Sequence, residues 1–549
     1  MARVKHTCPV CQKVAILKSE SKLFGKTSMR TYQCGHSELI NGTAPTEIDT
    51  LDITSIDGKK LFPFQLEGAR FIEKSGMRCL VADEMGLGKT VQAIATVAAH
   101  REETIPFFQF VKSGLRVQWL KEDVRWGDLT VQIIDDANSF FIPGMDGYII
   151  SMDTAWRIGH KVLKDKKGKV IDYIAQEGKT IWDIAVKLGV KLVVIDECQM
   201  IKNPTSKRTK AIVRTCGNVK HIIALSGTPI KNNAGEYFTI LNILRPDKFP
   251  TESGYIYGWC DNYFDGYKSK IGGLKSPEKF HEHTKDFIIR RDRKTVLPDL
   301  PLIWRQFQFC ELGKMVEDMY AQTMREFNDA FDSDEGTSFE KYSNLMAYLA
   351  KMRHLAGLAK IDPIVEYVEE FCMSTPVERK IVIFTHHKDV METIAHKLTK
   401  FTSDWPAEYG RSVLQIRSDM DSYARDEALQ TLKLPTHRIL LASTLASGEG
   451  LNMQFVSDCI MAERQWNPAN EEQAEARFPR PGQTADKINA TYFVAVGTVD
   501  EFFSELVEKK REIMQSTLDG KATMKWDESS LMTELMGVLR QKGGKKWGF

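Results

Sequence analysis

The chain contains no long apolar run, no excess of one charge sign, no short-period repeat and no low-complexity tract. Without about 20 consecutive apolar residues, no transmembrane helix is expected. The opening residues, Met1-Ala2-Arg3-Val4-Lys5-His6, lack the apolar core of a signal peptide. An intracellular protein with no membrane partner is therefore expected, in the cytoplasm or nucleoid of a bacterial or virus-infected cell, or in the nucleus if the source is eukaryotic. In that reducing setting ten cysteines read as buried thiols or metal ligands more than as a disulfide framework. A formal net charge of +2 excludes a strongly basic nucleic-acid coat protein, so any contact with nucleic acid must use local basic patches. At 549 residues the chain is too long for one core, and two large domains with a small one are expected.

From Leu61 onward, short apolar runs alternate with amphipathic helical segments. The first set includes Cys79 to Ala82, Leu192 to Ile195 and Ile222 to Leu225; the second includes Ile381 to Phe384, Ile439 to Ala442 and Cys459 to Ala462. Runs of this length and continuity suit parallel strands covered on both faces. Met315 to Phe371 reads mostly helical, broken at Asp332-Ser333-Asp334-Glu335-Gly336. The expected class is α/β, with two tandem domains of parallel sheet sandwiched by helices and a helical region between them. The boundaries are a small module at 1–45, a linker at 46–60, a first lobe at 61–303, a helical region at 304–371, a second lobe at 372–520 and a basic tail at 521–549. Thr498 to Glu501 fits a capping box, and Val499, Phe502, Phe503 and Leu506 share one face of the helix it would start, expected to dock on the second lobe.

Asp83-Glu84-Met85-Gly86-Leu87-Gly88-Lys89-Thr90 lies between an apolar strand and a helical segment. This is the order a phosphate-binding loop needs. Gly86 and Gly88 let backbone amides face phosphates, Lys89 reaches the outer phosphates and the Thr90 hydroxyl holds Mg²⁺. The plainer alternative is a glycine-rich turn with a surface lysine. A second apolar strand ends in Asp196-Glu197. After a phosphate loop, this pair suits magnesium binding by Asp196 and activation of the attacking water by Glu197. An exposed acidic pair at a strand end is the alternative. A metal-only site is disfavoured, because no His or Cys stands at ligand spacing.

Cys8-Pro9-Val10-Cys11 and Cys34-Gly35-His36 form two close pairs separated by a β-like loop. Cys8, Cys11, Cys34 and His36 suit a tetrahedral Zn²⁺ site, without which so small a module would hardly fold, with His6 as a substitute fourth ligand. DNA contact and protein docking both remain open for this module.

The motifs in this order resemble the Swi/Snf family of helicase-like ATPases within helicase superfamily two, from about Leu61 to about Met514. Leu61 to Gly68 looks like the entry motif, which implies adenine binding by Gln65. Asp83 to Thr90 matches motif I. Asp196-Glu197-Cys198-Gln199 is similar to motif II, with Gln199 where a histidine is usual. Leu225 to Asn232 resembles motif III, which implies that Ser226 and Thr228, with Gln199 and Gln473, couple nucleotide state to lobe movement. Ser443 to Asn452 resembles motif V, with Gly450 at the nucleotide. Trp466 to Gln483 resembles motif VI, which makes Arg477 and Arg480 the arginine fingers, although Glu475, Phe478 and Pro479 depart from the usual residues. The resemblance implies two RecA-like lobes, ATP with Mg²⁺, and hydrolysis that requires the lobes to close. The region from Ala356 to Val368 is similar to the compact annealing-helicase and fork-remodelling branch.

For nucleic acid, the resemblance favours Lys202 and the segment Ser447 to Asn452. Arg290 and Arg291 stand in a basic run, and Lys164 to Lys169 and the tail around Lys545 are further basic patches, although such runs are more often solvated faces. The leading expectation is a monomeric, DNA-dependent ATP hydrolase that moves on double-stranded DNA, remodels branched DNA or displaces bound proteins, with a protein partner possible through the zinc module. A strand-separating DNA or RNA helicase and a nucleotide-gated binding factor for a polymerase or other DNA machine are the alternatives.

Overall fold

The computed structural model describes residues 5–7, 14–22, 28–32, 37–40, 51, 53–165, 170–227, 229, 233–264, 269–332, 338–403, 412–444, 451–465, 468–501, 504 and 507–508. Strands β1 (Lys5–Thr7), β2 (Val14–Lys22), β3 (Ser28–Tyr32) and β4 (Ser37–Ile40) form an antiparallel meander. Cys8, Cys11, Cys34 and His36 lie outside the described residues.

The first lobe is built on β5 (Arg78–Val81), β6 (Phe107–Val111), β7 (Val131–Ile134) and β8 (Gly147–Ser151). A hairpin of β9 (His160–Lys164) and β10 (Val170–Ala175) follows. Then come β11 (Leu192–Ile195), β12 (His221–Leu225), a second hairpin of β13 (Cys260–Phe264) and β14 (Ser269–Leu274), and β15 (Ile288–Ile289). Seven of these strands form one sheet, ordered β15-β5-β12-β11-β6-β8-β7 and parallel throughout. Every residue of β11 and β12 is buried, as expected for central strands with helices on both faces.

The second lobe holds β16 (Leu302–Cys310), β17 (Ile381–Thr385), β18 (Ser412–Ile416), β19 (His437–Ser443), β20 (Asp458–Met461) and β21 (Lys487–Ala495). They form a second parallel sheet, ordered β16-β21-β20-β17-β19-β18. Its residues divide by pleat. Ile381, Ile383, Ile439, Leu441 and Ile460 belong to one core cluster, whereas Val382, Phe384, Leu440, Ala442 and Met461 belong to another. Both faces are therefore covered, which is why the sequence runs are continuous instead of alternating. The two parallel sheets with their helices are two RecA-like lobes.

The helices Lys314–Asp332, Ser338–Ala359 and Ile361–Ser374 lie between β16 and β17, both strands of the second sheet; residues 333–337, where a break is expected, lie outside the described residues. The segment expected to be helical from residue 304 instead opens with β16, an edge strand of the second sheet. Val499 packs with Tyr320, Phe327, Leu349 and Met352 of the first two of these helices. The Thr498 hydroxyl accepts from the Asp500 amide, two residues on instead of the three expected. Phe502, Phe503 and Leu506 lie outside the described residues. Lys360, only 1% exposed, ties this corner together through Asp500 Oδ2 at 2.6 Å and the Phe493 carbonyl at 3.3 Å. Among the described residues no helix is long and apolar enough to cross a membrane.

Candidate active site

The phosphate loop joins β5 to the helix Lys89–Ala99. Gly86 and Gly88 have φ of 90° and 70°. A side chain would be strained in that region, and one at Gly88 would also collide with Gln65. Gln65 is buried on the helix Pro63–Lys74, where its Oε1 accepts from the Phe62 amide at 3.0 Å. The expected adenine reader is thus in contact with the loop. Lys89 Nζ folds back onto the Asp83 and Glu84 carbonyls at 2.8 and 3.2 Å. Burial lowers its pKa, against the pull of Glu197, Asp83 and Asp196. Thr90 is half-buried at the start of the helix.

Asp83, the unusual first residue of the loop, is fully buried and held by Arg291. The arginine donates from Nε at 3.0 Å and from Nη2 at 2.5 Å, its amide donates at 3.1 Å, and Gln92 Nε2 adds a bond at 3.1 Å. Arg291 was expected at nucleic acid; its guanidinium is instead committed to the base of the loop. A buried carboxylate without that partner would be expensive.

The carboxylate pair stands at the end of β11. Asp196 is 8% exposed. Its Oδ2 accepts from Trp119 Nε1 at 3.0 Å and its Oδ1 from the Glu197 amide at 2.9 Å. Burial, then the neighbouring Glu197 charge, pushes its pKa up to about 6. Glu197 has φ 49°, left-handed for a non-glycine residue, a strain of the kind that collects at functional sites. Gln199 Nε2 donates to Glu197 Oε2, and Gln199 Oε1 accepts from Ser226 Oγ at 2.6 Å. One amide therefore links the end of β11 to the end of β12. Thr228 lies outside the described residues. Cys198 is fully buried, and burial pushes its thiol well above its ordinary range, so it offers no nucleophile.

The second lobe meets this loop directly. A Cβ on Gly86 would sit 3.8 Å from the Ala476 and Pro479 carbonyls and 3.9 Å from Arg480 Cγ. Arg480 Nε donates to the Ala476 carbonyl at 3.1 Å and Nη1 to Asn452 Oδ1 at 2.9 Å. Burial and Arg477 lower the Arg480 pKa to about 9. Arg477 is buried, and its charge is felt at Lys89. Lys89, Arg477 and Arg480 thus converge on the loop tip while Asp196 and Glu197 stand across from them. Buried and half-buried cations near such an acidic pair fit a polyphosphate together with a divalent cation: Asp196 and Thr90 would hold Mg²⁺, and the three cations the phosphates.

Other expected residues fall elsewhere. Asn452, expected at nucleic acid, faces Arg480. Lys202 pairs with Glu236 at 2.5 Å. Arg290 is half-buried, with Nη1 lacking a hydrogen-bond partner among the described residues. Gln473 is buried on the helix Pro468–Glu475. Ser447 and Gly450 lie outside the described residues. Sequence reading missed Trp119, Gln92 and Arg305; the apolar run of β6 ahead of the helix Arg116–Gly127 is the signal that points to the first.

The SNF2-related domain profile matches residues 64–357, more than half of the chain, and the helicase conserved C-terminal domain matches residues 360–482. The chain is 27% identical over 475 residues to the DNA annealing helicase and endonuclease ZRANB3 of Bos taurus, covering 84% of this chain and 41% of that one. It is 27% identical over 489 residues to the SWI/SNF-related matrix-associated actin-dependent regulator of chromatin subfamily A-like protein 1 of Xenopus tropicalis, covering 88% and 47%. It therefore spans less than half the length of these curated relatives. The Sulfolobus solfataricus SWI2/SNF2 ATPase core in complex with dsDNA covers 90% of this chain at 22% identity and a TM-score of 0.37, too loose a superposition to carry an argument. With the SNF2-related profile over its first lobe and the helicase C-terminal profile over its second, the chain belongs to the SNF2-related domain family.

Proposed function

We propose that the chain hydrolyses ATP in the cleft between its lobes, under the control of double-stranded DNA, and uses the resulting opening and closing to move on that DNA. The observation that carries this reading is the convergence of Lys89, Arg477 and Arg480, drawn from both lobes, on a loop tip faced by Asp196 and Glu197. Glu197 is the base for the attacking water, and the fingers stabilise charge on the transferring phosphoryl group. Mg²⁺ supplies further positive charge where Asp196 and Thr90 hold it. Because the fingers belong to the second lobe, hydrolysis requires closure. The Glu197–Gln199–Ser226 chain is suited to report the water-activating residue's state to the end of β12.

The curated relatives include annealing helicases by name, which favours branched or stalled DNA as the working substrate. A translocase of this kind displaces the third strand of a triplex without separating duplex strands. Unwinding of a forked duplex with no triplex displacement would replace this reading with a strand-separating helicase. ATP-gated DNA binding with neither activity would replace it with a binding factor.

The N-terminal module is read as a zinc site, and a protein partner is assigned to it. Cys8 and Cys11 fall in the β1–β2 connection and Cys34 and His36 in the β3–β4 connection. Two close pairs of this kind, separated in sequence by strands, suit the ligand spacing of a tetrahedral site. The chain is read as a monomer with residues 61–303 and 372–520 as its lobes.

A further inference from the structure

The helix Pro468–Glu475 ends two residues before Arg477, so its placement sets where the fingers point. Two arginines pin it. Within the second lobe, Arg464 meets Glu471 at 2.9 and 3.0 Å, with both side chains fully buried. The second arginine stands at the edge of the same lobe's sheet. Arg305 stands on β16, the edge strand that the chain enters on leaving the first lobe. Its Nε and Nη2 donate to the two carboxylate oxygens of Glu475 at 2.8 and 2.6 Å. The Tyr492 hydroxyl adds a bond to Glu475 Oε1 at 2.6 Å, and the Glu475 side chain is 1% exposed. Glu475 is one of the residues at which the motif departs from its usual form, and this partner accounts for it.

The segment between β15 and β16 also touches the phosphate loop. The Arg293 amide donates to Glu84 Oε2 at 2.9 Å. The Arg293 guanidinium is held down by burial, while Glu84 and Glu475 draw it the other way. A partly buried arginine–carboxylate pair of this kind, with Arg305 half-exposed over a buried Glu475, adds little net stability over an apolar replacement, so stability alone is a weak reason for it. What a two-point pair does supply is a fixed orientation.

We propose that Arg305 and Glu475 are positioning residues for the arginine fingers: the pair clamps the finger-bearing helix to β16, the edge strand of its own sheet, so that turnover depends on that clamp. This rests on the ATPase reading above. The test is steady-state ATP hydrolysis by the full chain on saturating duplex DNA, with Arg305→Met, Glu475→Gln, the double variant and the conservative Arg305→Lys. Each single variant is expected to lower kcat about tenfold or more while the KM for ATP stays within about twofold, because Gln65 and Lys89 are untouched. The double variant is expected to be no worse than the poorer single, and Arg305→Lys to recover part of the loss. Melting temperature and binding of a fluorescent ATP analogue are expected to hold. The proposal is overturned by wild-type kcat in either single variant, by additive losses in the double, or by an Arg305→Lys protein that melts early and loses nucleotide binding. Should the other variants not fold, Arg305→Lys alone decides: a folded protein with reduced kcat supports the pair, and one with full kcat overturns it. A wild-type chain without DNA-stimulated turnover would instead sink the ATPase reading itself.

Discussion

A buried carboxylate beside a half-buried one is an electrostatic cost until something positive is set against the pair. At Asp196 the cost is visible as a pKa of about 6, raised by burial and by Glu197. The folded chain binds this proton more tightly than an unfolded one. The burial therefore destabilises the nucleotide-free protein above about pH 6, and that penalty fades as pH falls toward the ordinary carboxylate range. Magnesium competes with the same proton. Half-saturating Mg²⁺ for ATP hydrolysis is expected to rise by up to about tenfold per unit as pH drops below about 6, measured by Mg²⁺ titration at fixed ATP. A flat requirement down to pH 5 would remove Asp196 from the metal. Gln199 makes a separate prediction. Gln199→Ala cuts the Glu197–Ser226 link, so kcat is expected to fall about tenfold with little change in KM for ATP. Gln65, Gly86, Lys89 and the acidic pair were legible because each belongs to a local run of sequence. The partners of Asp83 and Arg480 were not: Arg291 lies 208 residues from Asp83 and Asn452 lies 28 from Arg480. Their proximity is a product of the fold, which no local run of sequence records.

At the scale of elements, legibility followed burial. β11, β17 and β20 are covered on both faces, and each was found as a continuous apolar run. β16 was missed because an edge strand leaves Leu302, Trp304 and Phe309 exposed and places Arg305 and two glutamines among them, which breaks the pattern. The segment from Ala356 to Val368 can now be read physically. A Cβ on Gly357 would come 2.7 Å from Glu463 Oε1, so glycine admits that carboxylate against the helix. Glu463 in turn accepts from the His386 and His387 amides at 2.7 and 3.0 Å. Despite burial, its pKa is drawn down to about 2 by His387. Three residues on, Lys360 anchors Asp500. Lys360→Met would leave Asp500 buried without its cation and is expected to cost about 3–5 kcal/mol, read as an earlier denaturation midpoint. The N-terminal meander carries its own test. Purified protein is expected to hold one zinc per chain, and Cys8→Ser with Cys34→Ser to lose it; full zinc in that variant would refute the site.

At the scale of the whole molecule, chemistry is divided between two bodies. The first lobe holds Lys89, Asp196 and Glu197, the second holds Arg477 and Arg480, and the lobes meet at Gly86. On the proposed mechanism neither lobe carries a complete site, so nucleotide and DNA would each act by changing the population of closed chains. A further link across the seam, Lys121 to Asp426 at 2.5 Å, is surface-exposed and expected to contribute no more than about 1 kcal/mol. The measurement that bears most directly on this division is the ATPase rate of the full chain against duplex DNA, single-stranded DNA and RNA, with Glu197→Gln as its control. The account predicts the largest stimulation by duplex DNA and a loss of at least about a hundredfold in turnover for Glu197→Gln, with ATP still bound. Normal turnover by Glu197→Gln, or a rate indifferent to duplex DNA, would contradict it.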